Sequence, residues 1–142
     1  MSRLLNKKPP IVFEDGLQSR DFINVKDIAQ ANLLALTTAG ADFQTVNIGN
    51  GASTSVLDVY NTLANVLNVE KNATITGKFR AGDIRHCFAD SSRARQLLGW
   101  EPTVRLETGL KELLDWCINT GPDSRDTVED SYLELQKRKL VQ

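Results

Sequence analysis

Apolar positions along this chain fall into short extended runs, marked off by glycine- and proline-bearing turns, and longer stretches where they recur every three or four residues. Alternation between these two periodicities predicts an α/β fold with short strands and about five helices. The clearest helical pattern is Val56, Val59, Tyr60, Leu63 and Leu67, whose spacing puts all five on one face. Ser55, with Asp58 three residues later, opens that helix as a capping box. Leu106, Leu110, Leu113, Leu114 and Cys117 repeat helical spacing until Gly121-Pro122 stops the helix. Asp27 reads as the cap of a further helix, in which Ile28, Ala29, Ala31, Leu33, Ala35 and Leu36 cover more than one stripe and predict packing on two sides. A shorter helix follows Asp90, with Ala94, Leu97 and Leu98 inward and Gly99 in its C-terminal turn. The β-rich runs at 11–13, 21–25, 44–48 and 74–79 predict strands, the first two as arms of a loose hairpin or as neighbours. After residue 121 the chain turns polar. Val128, Tyr132 and Leu135 leave it a thin apolar stripe, so 122–142 reads as a surface helix fraying toward Lys137-Arg138-Lys139.

Length and charge narrow the field. At 142 residues the chain has room for one core, and a net charge of -1 argues against nucleic acid or an anionic membrane as the partner. No apolar run has the length of a membrane span, and the first residues lack the apolar middle of a signal peptide, so the expected location is the cytoplasm. In that reducing compartment Cys87 and Cys117 are expected to be small buried apolar groups, not a disulfide or a metal pair. Trp100 and Trp116 are likewise expected in the core.

The usual catalytic signatures are weak. Gly49-Asn50-Gly51 between a strand and a helix resembles the opening of a dinucleotide-binding turn, but Thr54 stands where the third glycine belongs, and a plain tight turn is the simpler reading. His86 is the sole histidine and reads as a half-buried structural residue; no serine lies in a nucleophile elbow, and no metal-ligand spacing occurs. What remains is Arg20 within Asp15–Asp27, together with Arg80-Ala81-Gly82-Asp83-Ile84-Arg85. Two guanidiniums offer paired donors that match a diphosphate, and Asp83 could accept ribose hydroxyls beside the permissive Gly82. The alternative is a set of surface ion pairs of small worth, Arg20 with Asp21 or Asp27 and Arg80 with Asp83.

These residues stand in a longer ordered pattern. Glu14-Asp15-Gly16, Gln18, Arg20-Asp21-Phe22-Ile23, Val25 and Asp27, then Val46-Asn47-Ile48-Gly49 and Gly51, then Arg80, Gly82-Asp83-Ile84-Arg85-His86, Ala89-Asp90 and Leu97-Leu98-Gly99-Trp100-Glu101-Pro102 resemble the C-terminal half of the extended short-chain dehydrogenase/reductases that epimerise or dehydrate nucleotide sugars. The wording is most similar to the UDP-glucose and dTDP-rhamnose 4-epimerase branch. The resemblance implies a substrate-binding region over 1–121, with elements that pack on an N-terminal Rossmann half, and a polar helix or tail over 122–142. It implies that Arg20 and Arg80 bind the diphosphate, that Asp83 faces the ribose, that Phe13 packs on the base, that Asn47 makes a polar phosphate contact, and that Phe22 packs where some relatives carry a tyrosine. It also implies NAD in the complete enzyme and none held by this chain alone, because the Tyr-x-x-x-Lys pair and the NAD loop are missing: Tyr60 is followed four residues on by Ala64, and Tyr132 by Gln136. The expected role is nucleotide-sugar binding without catalysis. The alternatives are an interaction or regulatory module pairing with a full-length relative, and a portion of a dehydratase. The expected partners are a nucleotide sugar, a Rossmann half or full-length relative, and a second copy of the chain.

Overall fold

The structure is a computed structural model that describes residues 1–119 and 126–141. Among these the elements run α1 (Ser2–Leu5), β1 (Ile11–Val12), β2 (Ser19–Arg20), α2 (Val25–Thr37), β3 (Thr54–Ser55), α3 (Val56–Leu67), β4 (Thr74–Ile75), α4 (Ser92–Leu98), α5 (Leu106–Asn119) and α6 (Val128–Lys137), with a 3-10 turn at Ala39–Ala41. The α/β expectation holds, with α1 as a single unforeseen turn. Gly121 and Pro122, the expected end of the fifth helix and the expected boundary, lie outside the described residues. No helix among the described residues is long and apolar enough to cross a membrane.

The strands do not pair as neighbours in sequence. β1 runs parallel to β4, Ile11 opposite Thr74, whereas β2 runs antiparallel to β3, Ser19 opposite Ser55 and Arg20 opposite Thr54. The hairpin is therefore replaced by two small ladders that each join distant stretches. The run expected at 21–25 breaks at Asp21, whose side chain turns onto other loops, and Asn24 then starts α2 by accepting from the Lys26 N–H at 2.9 Å. Residues 44–48 form no strand, because no edge among the described residues pairs with them; Val46 and Ile48 pack instead as side chains against a core.

Two apolar clusters hold the elements. Leu4, Tyr60, Leu63, Ala64 and Leu114 join α1, α3 and α5; the face foreseen for α3 supplies Tyr60 and Leu63, with Val59 and Leu67 packed against them, and Ala64 adds a third α3 residue. The Ser55–Asp58 capping box opens that helix as expected, and the Tyr60 hydroxyl accepts from the Ala73 N–H at 3.1 Å, so this buried phenol is not left dry of partners. The second cluster is Ala31, Ala94, Leu98 and Trp100, between α2 and α4. Trp100 is fully enclosed, which at about 25 cal/mol per Å² stabilises by roughly 5 kcal/mol. Gly99 ends α4 at φ 63, the left-handed turn that a glycine takes without strain.

Several expectations are corrected. Asp27 caps nothing: it lies in the first turn of α2, is 1% exposed, and takes hydrogen bonds from Thr103 and Val104 in the linker before α5. Its burial follows from being the anchor of that linker. Asp90 sits one residue before the Ser91 cap position and accepts from the Ser92 N–H. Cys87 and His86 are exposed, and Trp116 is 62% exposed, since it lies off the stripe that buries Leu114. α2 packs on one side only: Val25, Leu33 and Leu36, with Phe43 beyond its end, stand exposed, Leu36 by 86%.

Candidate functional site

β2 is the middle of a three-segment arrangement, and this is what fixes Arg20. β3 pairs on one edge; on the other the Ser19 N–H donates to Arg85 O (2.9 Å) and the Cys87 N–H to Ser19 O (3.1 Å). The turn before β2 closes through Gly16 N–H to Phe13 O and Leu17 N–H to Asp15 Oδ1. Arg85 clamps that turn from outside by pairing with Glu14 and with Asp15 (2.7 Å). The hydrogen bond from Arg85 holds the Asp15 carboxyl below its usual range, and the same contact raises the guanidinium. Side chains alternate along β2. Ser19 turns to one face, where it meets Ser53 (2.7 Å) and His86 Nδ1 (2.8 Å), while Gln18 and Arg20 share the other.

On that second face the Arg20 guanidinium makes three hydrogen bonds. Nη1 donates to Ser19 O (2.8 Å) and Arg85 O (3.1 Å), and Nη2 to Asp83 Oδ1 (2.6 Å). The partner is thus Asp83, neither Asp21 nor Asp27. The Arg80 side chain, by contrast, makes no ion pair or hydrogen bond among the described residues. Gly82, at φ 79, carries the turn from Arg80 that returns Asp83 to Arg20. A cleft of about 290 Å³ results, lined by Phe13, Arg20, Arg80 and Asp83 together with Gln18 and Val56 among others. Four of the six expected site residues therefore converge. Phe22 lies elsewhere, in an apolar groove of about 380 Å³ with Ile23, Val104 and Leu106, and Asn47 is exposed outside both.

The C-terminal stretch, whose helix α6 ends at Lys137, folds back on the cleft. The Tyr132 ring lies 5.9 Å from that of Phe13, and its hydroxyl accepts from Lys78 Nζ at 2.9 Å. Beyond α6 the Ala81 N–H donates to Leu140 O (2.9 Å), and Arg80 bridges Val141 in antiparallel fashion. Arg3 and Lys8 fasten the start of this stretch through Asp126, whose carboxyl is held low by its bond from Lys8.

The Gly49-Asn50-Gly51 turn has an occupant of its own. Asp21 Oδ1 accepts from the Asn50 N–H (2.7 Å), and Oδ2 from the N–H groups of Gly51 (3.0 Å) and Ala89 (3.1 Å). Ser91 Oγ bonds both the N–H and the carbonyl of Gly49. An anion already fills the place where a dinucleotide phosphate would meet such a turn, so these residues do not fit NAD. Among the described residues no cluster of three His, Cys, Asp or Glu could hold a metal. Sequence reading missed Gln18, Asp21 and Tyr132 as organisers. Gln18 carried a signal, since it lies two positions before Arg20 in the segment that leads into β2; the other two depend on contacts far apart in the chain.

A family model described as GDP-mannose 4,6 dehydratase matches residues 1–113. The chain is 36% identical over 116 residues to a dTDP-L-rhamnose 4-epimerase of Burkholderia thailandensis, a match covering 81% of this chain and 32% of that one. It is 31% identical to a UDP-glucose 4-epimerase of Mycolicibacterium smegmatis, covering 82% and 36%. Among solved structures, the UDP-glucose 4-epimerase of Thermotoga maritima with UDP-glucose superposes with a TM-score of 0.77 at 34% identity, over 84% of this chain and 38% of that one. The UDP-glucuronic acid 4-epimerase of Bacillus cereus with UDP-glucuronic acid and NAD gives 0.78 at 29% identity, over 84% and 38%. The chain thus spans about a third of the length of the relatives it matches.

Proposed function

The chain belongs to the NAD-dependent nucleotide-sugar epimerase/dehydratase family, and from that premise we propose that it is the portion that holds a UDP- or dTDP-linked sugar in an enzyme of the 4-epimerase kind. The observation that carries this reading is the convergence of Phe13, Arg20, Arg80 and Asp83, from three separated stretches of sequence, on one cleft. Asp83 neutralises Arg20, and among the described residues Arg80 has no ion-pair partner. An arriving diphosphate exchanges places with the carboxylate: its oxygens take Arg20 Nη2 and the free Arg80 fork, and the released Asp83 turns to a ribose hydroxyl. Phe13 then packs on the base. Arg20 arrives pre-oriented by two backbone carbonyls, so little side-chain freedom is lost on binding.

Binding is the whole of this stretch's share in the reaction. A 4-epimerase draws a hydride from the sugar to NAD, and the turn in this chain that resembles a cofactor loop is filled by Asp21. The exposed apolar side of α2 is the seat for the Rossmann half. A second reading, an interaction module that pairs with a full-length relative, draws on the same face, and co-elution of such a relative on size exclusion would favour it. The test of the main reading is calorimetric titration with UDP and dTDP. Arg20→Ala and Arg80→Ala should each weaken binding by about tenfold to a hundredfold, as loss of one or two charge-assisted hydrogen bonds requires. No binding of either nucleotide by the parent chain defeats the reading.

A further inference from the structure

Gln18 is buried, with 8% of its surface exposed, and its amide is oriented by a bond from Nε2 to the Phe13 carbonyl (3.1 Å). That leaves Oε1 as the end facing away. Among the described residues Oε1 is the only buried side-chain nitrogen or oxygen without a hydrogen-bond partner. Native interiors rarely leave such an acceptor unmet, and the exceptions call for a reason. Gln18 lines the same cleft as Arg20, Arg80 and Phe13. It stands immediately before β2 and, two residues from Arg20 in an extended stretch, shares that residue's face about 7 Å away along the backbone, and it is tied to the residue that carries the Phe13 ring. We propose that Gln18 is a specificity-determining residue of this cleft, its Oε1 accepting a hydrogen bond from a donor on the nucleoside of the bound ligand. The inference rests on the reading of the cleft as a nucleotide-diphosphate site.

The chemistry of the amide suits this place. A carboxylate here would compete with phosphate for the two arginines, whereas a neutral carbonyl leaves their charge free. An ionised diphosphate carries no hydrogen-bond donor, so it cannot satisfy Oε1. A nucleoside can, through either of two groups: the imide N–H of uracil or thymine, or a ribose hydroxyl. Cytosine presents a bare acceptor at the imide position, and the two sources are thereby separable.

The experiment measures the affinity of the full chain for UDP, CDP and inorganic pyrophosphate by calorimetry, in the parent and in Gln18→Leu, Gln18→Glu and Arg20→Ala. Gln18→Leu should weaken UDP about tenfold and leave pyrophosphate unchanged, while Arg20→Ala weakens both. A parent preference for UDP over CDP that vanishes in Gln18→Leu assigns the donor to the base; equal weakening of UDP and CDP assigns it to the ribose. Gln18→Glu, which keeps the size of the side chain, should weaken pyrophosphate as well, because its carboxylate occupies the arginines. If folded Gln18→Leu binds UDP within twofold of the parent while Arg20→Ala loses it, this inference falls and the cleft reading stands. If the parent binds neither UDP nor pyrophosphate, both fall together.

Discussion

Replacing Asp27 by asparagine isolates one carboxylate at the joint between the two helical clusters. Three donors converge on it: the Thr103 hydroxyl (2.7 Å) and N–H (2.9 Å) at Oδ1, and the Val104 N–H (3.1 Å) at Oδ2. Burial alone would push this carboxyl up, but the Thr103 and Val104 bonds outweigh it and hold it below its usual range. Asparagine preserves the shape and keeps one acceptor for Thr103, yet turns an NH₂ toward the Val104 N–H. One bond to a charged group is lost outright, worth about 1.5–3 kcal/mol, and the remaining two become neutral ones of roughly half that strength. A loss of about 3 kcal/mol follows. With a urea slope of roughly 2 kcal/mol per molar, the unfolding midpoint should drop by about 1.5 M, read from the fluorescence of the enclosed Trp100, whose indole N–H bonds the Asp27 carbonyl. The effect must also depend on pH. A carboxyl whose folded pKa lies below its unfolded value stabilises at pH above the unfolded value, about 3.9, and loses that contribution as pH falls through the folded one. The gap between parent and variant should therefore be full at pH 6 and narrow once the pH drops below about 4. A midpoint within 0.3 M of the parent at pH 6, about a fifth of the shift estimated above, or a gap that ignores pH, would refute the assignment of Asp27 as the anchor of the 103–104 linker.

Two further outcomes follow from packing. In Gly49→Ala the new methyl would stand 2.5 Å from Asp21 Oδ2 and 2.6 Å from Ala89 Cβ, so the loop must move off its carboxylate; thermal unfolding should report a loss of about 2–3 kcal/mol. Leu36→Lys on the open side of α2 should leave the unfolding midpoint within about 0.5 kcal/mol of the parent, while sedimentation velocity shows less self-association; an unchanged sedimentation profile would count against that face as a contact surface.

What the sequence made legible was local. The α3 stripe and its capping box announce themselves within a dozen residues, and so does the left-handed end of α4 at Gly99, because each depends on neighbours a turn or two away. Strand pairing depends on partners elsewhere, which is why the run at 44–48 read as β yet serves as irregular packing, and why the hairpin was not found. Asp27 and Asp21 show the same limit from the side of polar groups. Each looked like a surface or capping carboxylate, and each instead ties together backbone from stretches 29 to 77 residues away. Arg20, Arg80, Asp83 and Phe13 were legible as a set only through resemblance to a family pattern, since spacing alone left surface ion pairs equally open. Trp116 was misread because an aromatic next to a helical stripe need not lie on it.

The way α6 returns to the cleft bears on the order in which the molecule is built. Arg3 meets Asp126 and Glu129 across more than 120 positions, and the Leu140 carbonyl meets the N–H of Ala81. Loops of that length close slowly, after contacts within α3 or between α2 and α4 have formed. A growing chain can therefore dock Trp100 between its helices while Phe13 and Arg80 still lack their cover. Only when residues 126–141 have been made does the rim of the cleft take its final form, so that the finished cleft trails behind compactness in time.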